Sequence, residues 1–155
     1  MTYRVYDVAA IPCTYKGINF RSRTEARWAV FFDSLKWNWI YEHDFYRLPS
    51  GFYLPDFYLP DFMAHAEVKP DEFTPAEHKK CIELSELFSD TQVLQLVGNP
   101  GPYSISVIEN GAFLTEGIPV QKSSKFYPMF YTDVFSKIDF QETVRAAVSA
   151  KDHSF

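Results

Sequence analysis

The sequence predicts a single α/β domain, and three observations predict it. Two stretches carry helix-start chemistry, Ser22 to about Leu35 and Thr74 to about Phe88, and they bracket alternating, turn-punctuated residues that read as strands. After the second helix, Gln92 to Val97 is apolar on both faces through Val93, Leu94, Leu96 and Val97, the pattern of a buried strand. The order helix, strand, hairpin, helix, strand is thus laid out over about residues 15–100, and a C-terminal hairpin and helix follow over about 101–155. With 155 residues, 46% of them hydrophobic and 18% aromatic, the chain is long and apolar enough for a packed core.

Met1 to Ile18 alternates loosely and reads as an edge strand or an ordered arm. In the first helix Ser22 followed by Glu25 fits a capping box, and Trp28, Phe31 and Leu35 form an apolar stripe that reads as core rather than as stacking surface. Arg21, Arg23 and Arg27 gather at its start, where guanidinium groups suit bidentate contacts to phosphate or form a solvated charged end. Asn38 to Glu42 reads as a strand with Glu42 at its end.

Past the turn Pro49-Ser50-Gly51, the stretch Tyr53 to Lys69 reads as a β-hairpin. It contains a duplication, YLPDFYLPDF. Centring the turn between Asp61 and Phe62 sets Asp56 opposite Glu67, with Cβ atoms roughly 5 Å apart. Asp61, only six residues before Glu67, reads as a turn residue. Glu67 and Lys69 share one strand face while Ala66 and Val68 share the other. Two carboxylates would converge beside an ammonium, and a hard divalent cation relieves their repulsion. His65 lies on the same face and reads as a packed strand residue or a phosphate or water contact.

Thr74, Pro75 and Glu77 supply a cap, a first-turn proline and a reciprocal acid for the second helix. His78, Lys79 and Lys80 on this helix read as a solvated charged face. Tyr103 to Ile108 and Ala112 to Glu116 flank Asn110-Gly111, a hairpin signal. Gln121 to Tyr131 mixes Lys122 and Lys125 with four aromatics and reads as packed rings, a protein interface or a single-strand contact. Phe140, Val144, Ala147 and Val148 mark an amphipathic helix, with Asp152 to Phe155 fraying.

Asp56 followed by Glu67-Val68-Lys69 resembles the motif of the PD-(D/E)XK nuclease superfamily, and Phe20-Arg-Ser-Arg-Thr-Glu-Ala-Arg-Trp28 is similar to the first helix of its small, often phage-borne members. The resemblance covers about Tyr15 to Pro100. It implies a restriction-endonuclease-like αβββαβ core, a mixed central sheet flanked by helices, and cleavage of phosphodiester bonds in DNA with Mg²⁺, for which Mn²⁺ can substitute. Asp56 and Glu67 would be metal ligands, Val68 would lend its carbonyl, Lys69 would orient or deprotonate the attacking water, and Glu25 would be an accessory carboxylate. Arg21, Arg23 and Arg27 would meet the nucleic acid, as would Lys80, the candidate contact on the second helix. A homodimer would let such an enzyme cut both strands.

Charge and cysteine usage bound these readings. The formal net charge of −5 excludes a uniformly basic nucleic-acid coat, so DNA contact must come from a local patch or bound metal. Cys13 and Cys81 lie in unrelated segments, as in a reducing compartment, and no apolar run is long enough to cross a membrane. The expected setting is the cytoplasm, a host cell's if the chain is phage-encoded. Two other readings use the same residues: a catalytically inactive nuclease-fold protein that binds DNA or another protein, and an acidic inhibitor of a host defence protein.

Overall fold

The computed structural model describes residues 11–88, 90–101, 103–116 and 140–155. The expected arm at 1–10 and the aromatic-lysine stretch at 121–131 lie outside them. Among the described residues the chain is a mixed α/β structure: a six-stranded central sheet, two small two-stranded ribbons and three α-helices.

The first ribbon pairs β1 (Cys13–Tyr15) with β2 (Ile18–Phe20) across Lys16 and Gly17, both at positive φ (52° and 76°). Such a two-residue turn matches the twist of the strands it joins. The single edge strand expected through Ile18 is therefore a hairpin. Helix α1 (Arg23–Ser34) starts where expected, with the Ser22 side chain accepting the Glu25 N–H at 3.1 Å. Its capping box is half-formed, because the Glu25 carboxylate passes over the N-cap and accepts the Arg21 N–H instead.

Strand β3 (Ile40–Tyr41) is shorter than the expected Asn38 to Glu42. Asn38 is held by the Asp61 carboxylate through its N–H (2.9 Å) and its side-chain amide (3.1 Å), and Glu42 turns into the left-handed region at φ 50°. The second ribbon, β4 (Tyr46–Leu48) with β5 (Gly51–Tyr53), stands apart from the central sheet. This corrects the expectation that Tyr53 begins the central hairpin. That hairpin is β6 (Phe57–Leu59) and β7 (Ala64–Lys69), joined by a 3-10 turn over Pro60–Phe62 in which Asp61 sits. Phe57 pairs with Ala66 and Leu59 with Ala64, so Asp56 falls opposite Glu67 one step beyond the ladder.

Helix α2 (Pro75–Leu87) opens on a complete Thr74–Glu77 capping box and leads into β8 (Gln92–Val97), parallel to β7. Strands β9 (Ile105–Glu109) and β10 (Ala112–Glu116), joined by Asn110-Gly111 at φ 49° and 83°, extend the same sheet instead of standing beyond it. The strand order is β10-β9-β8-β7-β6-β3.

Alternation along the strands divides the core. One sheet face, with Phe57, Leu59, Ala64, Ala66, Val68, Leu94 and Leu96, packs on α1 and on α3 (Phe140–Asp152). Trp28, Phe31 and Phe32 are fully buried there, and the Trp28 indole N–H donates to the Gly98 carbonyl at 2.9 Å, so these rings are structural. The opposite face, with Val93 and Ile108, packs on α2 and the second ribbon through Leu48, Tyr53, Phe73, Cys81 and Leu84.

Helix α3 buries Thr143, Ala146 and Ala150, while Val148 is 52% exposed. Its inward stripe is thus displaced from the expected one, because small residues let α3 lie close against α1. Residues after Asp152 do not simply fray: the His153 ring packs edge-on against Tyr15 at 5.2 Å.

Candidate functional site

Four chain segments meet at the C-terminal end of β7. The start of α1 brings Arg21 and Glu25, the chain entering β6 brings Asp56, β7 itself brings Glu67, Val68 and Lys69, and the first turn of α2 brings Glu77. A cavity of about 200 Å³ is lined by Arg21, Glu25, Asp56, Glu67, Val68 and Lys69 among others. A second, of about 240 Å³, shares Arg21, Glu67 and Lys69 and adds Tyr53, Leu54, Glu77 and Lys80.

Asp56 is 2% exposed and is held from two sides: Oδ2 accepts the Val68 N–H at 2.8 Å and Oδ1 accepts from Arg21 Nη2 at 2.7 Å. In a strand, the N–H and C=O of one residue point to the same neighbour. The Lys69 carbonyl accepts from Gly98 on the β8 side, so the Val68 carbonyl faces the Asp56 side, where β6 has ended. Glu67 accepts from the Tyr53 hydroxyl at 2.9 Å and meets Lys69 Nζ at 3.3 Å. Lys69 is also 3.1 Å from Glu77, whose other oxygen closes the α2 capping box. Glu25 Oε1 accepts from the Tyr41 hydroxyl at 2.6 Å and from the Arg21 N–H at 3.1 Å. Arg21 Nη2 further contacts Glu42 at 2.9 Å.

Five carboxylates (Glu25, Glu42, Asp56, Glu67, Glu77) thus meet two cations (Arg21, Lys69). Burial, then the nearby charges of Glu67 and Glu25, push Asp56 well above the usual carboxylate range, against the pull of the Val68 N–H and Arg21. Burial also raises Glu67, more than Lys69 and Tyr53 lower it. For Lys69, burial works against the charged form, but Glu67 and Glu77 outweigh it and leave the ammonium more basic than usual.

The expected residues are distributed as follows. Asp56, Glu67, Val68, Lys69, Glu25 and Arg21 share one cavity, and Lys80 lies in the adjoining one, its Nζ donating to the Phe52 carbonyl at 3.1 Å. Arg23 is exposed at the helix start and does not line either cavity. Arg27 lines neither cavity: its Nη1 donates to the carbonyls of Ala150 (3.0 Å) and Lys151 (2.8 Å) at the end of α3. His65 is a packed strand residue, 4% exposed and paired with the Tyr46 hydroxyl at 2.9 Å. Tyr41 and Tyr53 were not read as site residues, since a tyrosine in a strand carries no signal of where its hydroxyl ends.

Among the described residues no group of three or more His, Cys, Asp and Glu side chains is arranged to hold a metal ion, and no helix is long and apolar enough to cross a membrane. A two-carboxylate site is a smaller requirement. The donor set of Asp56, Glu67 and the Val68 carbonyl is all oxygen, which suits a hard divalent cation that keeps several waters. Burial raises the pKa values of both acids, and for Asp56 the charges of Glu67 and Glu25 add to it, so a cation that replaced the lost hydration would favour their ionised forms. The residues therefore fit Mg²⁺ or Mn²⁺. A scan against protein-family models and searches of curated proteins and of solved structures each return no match.

Proposed function

We propose that this chain is a restriction-endonuclease-like nuclease that hydrolyses phosphodiester bonds in DNA with Mg²⁺ or Mn²⁺. The observation that carries the reading is that Asp56, Glu67 and Lys69 reach one cavity from a hairpin whose register sets the two acids opposite each other. The element order α1, β3, β6, β7, α2, β8, with β7 and β8 parallel, supports it.

Asp56, Glu67 and the Val68 carbonyl would hold the ion, which when bound supplies a more acidic water and positive charge at the phosphate. Without metal, Glu67 and Glu77 outweigh burial and favour the Lys69 ammonium, the form suited to orienting water. It orients the attacking water and stabilises charge growing on phosphate oxygens. Tyr53 and Tyr41 fix the rotamers of Glu67 and Glu25. Lys80 and Arg21 offer positive charge to the flanking backbone on a chain otherwise acidic overall.

The test is cleavage of labelled single- and double-stranded DNA with Mg²⁺, Mn²⁺ or EDTA, by the wild type and by Glu67→Ala and Lys69→Ala. Metal-dependent cutting that both variants lose supports the proposal. A folded protein that cuts neither substrate moves the reading to a catalytically inactive nuclease-fold protein that binds DNA or inhibits a host defence protein. The Arg21 contact on Asp56, a built-in cation, is the observation that favours this second reading.

A further inference from the structure

The second ribbon has two unlike faces. Tyr46, Leu48 and Tyr53 turn inward, and the Tyr53 hydroxyl binds Glu67. Phe45, Arg47 and Phe52 turn outward, as strand alternation requires. Phe45 is 61% exposed and Phe52 62%, with their rings 5.8 Å apart and tilted at 62°. Arg47, the cross-strand partner of Phe52, lies over its ring at 5.4 Å. Two adjacent phenylalanine rings left this open on a short ribbon add nothing to the core and mark an interaction surface.

The position of the surface says what it meets. Phe52 is anchored by Lys80, which donates to its carbonyl, and Lys80 lines the cavity shared with Arg21 and Lys69. Leu54, 38% exposed, lines that cavity too, so the outward face runs directly into it. Of the acids beside this ribbon, Asp44 is turned to the Phe45 N–H and Glu83 is engaged by the Ser50 N–H and hydroxyl at the ribbon's turn. Aromatic faces with a guanidinium over one of them, continuous with a cavity in which Arg21, Lys69 and Lys80 outnumber Glu67 and Glu77, match the chemistry of single-stranded nucleic acid. Phosphates follow the cations while bases stack on the rings.

We propose that the outer face of the β4–β5 ribbon is a stacking platform for an unpaired nucleobase next to the phosphate held in the cavity, so that the preferred substrate carries a single-stranded segment at the site of cleavage. This rests on the nuclease reading for the nature of the polymer, not for catalysis.

The test is binding in EDTA, which separates the platform from cleavage. Fluorescence anisotropy would compare a labelled single-stranded oligonucleotide with the same sequence fully paired, for the wild type, Phe52→Ala, Phe45→Ala, the double variant and Phe52→Tyr. A 2-aminopurine in the single strand reports stacking directly. The expected result is tighter binding of the single strand by the wild type. Affinity falls about tenfold for each ring removed, with the 2-aminopurine signal lost, duplex binding little changed and Phe52→Tyr close to wild type. Equal single-strand affinity for the double variant and the wild type overturns the platform, as does a wild-type preference for duplex. A double variant that instead loses a dimer seen by sedimentation also overturns it, since the rings would then be a protein interface. Binding that behaves as expected by a protein that never cuts DNA supports the platform while the nuclease reading fails. No binding of either DNA in EDTA overturns the platform, while cleavage with Mg²⁺ decides the nuclease reading separately.

Discussion

Arg21 Nη2 lies 2.7 Å from Asp56 Oδ1, although the two residues are 35 positions apart and Asp56 is almost fully buried. The same nitrogen contacts Glu42 and approaches Glu25, so one exposed side chain bridges three acids at the mouth of the cavity. On the proposed function, a divalent cation on Asp56 would compete with a guanidinium that is already there, and the displaced Arg21 would be available to a phosphate.

Replacing Arg21 by alanine should tighten Mn²⁺ binding several-fold by calorimetry, while lowering the melting temperature of the metal-free protein because Glu42 and Asp56 lose their partner. Weaker Mn²⁺ binding would instead make Arg21 the residue that holds Asp56 in its ligating position.

The raised acids predict a pH dependence. A carboxylate whose folded-state pKa lies above its unfolded value contributes stability that is complete below about pH 4 and is lost as pH rises through the folded value. In EDTA, Asp56→Asn should raise the melting temperature at pH 8 relative to wild type, and the difference should vanish toward pH 4. Adding Mg²⁺ should stabilise the wild type and not the variant. A melting temperature at pH 8 that falls in Asp56→Asn would refute the excess of buried charge.

His65 predicts the opposite slope. Burial, then the charge of nearby His43, lowers its pKa to about 4 despite Asp44. Its contribution is fully present above about pH 6.5 and is lost as pH falls through about 4, on the order of 3 kcal/mol in all. His65→Gln should flatten the stability profile between those pH values. An unchanged profile would mean that His65 titrates normally in the fold.

Arg27→Ala should cost about 1–3 kcal/mol of stability, since two carbonyls at the end of α3 lose a charged donor. Single-strand DNA affinity should stay at the wild-type value. A selective loss of DNA binding in a variant of unchanged stability would return Arg27 to the nucleic-acid interface.

The sequence was most legible where local chemistry leaves few alternatives. Asn110-Gly111 and Thr74-Pro75-Glu77 each demand one backbone conformation, and a turn centred between Asp61 and Phe62 is enough to pair Asp56 with Glu67. What stayed hidden depends on the fold as a whole. Glu42 reaches Arg21 only because its own backbone turns left-handed, and Tyr41 and Tyr53 reach Glu25 and Glu67 from strands in different layers. The inward face of α3 was misplaced because valines outrank alanines on a hydropathy scale, whereas close helix contact selects Ala146 and Ala150. Lys16, an ordinary residue at positive φ, concealed the first ribbon.

The join between α1 and α3 sets the order in which a newly made chain acquires its cavity. Arg27 reaches carbonyls 123 and 124 residues downstream, and α1 packs against a helix that leaves the ribosome long after it. Contacts that distant form late and slowly. The helix carrying Glu25, with Arg21 at its head, packs on the central sheet first and gains its second flank only when residues 140–152 arrive, so nascent chains should keep that flank of α1 open to protease until then.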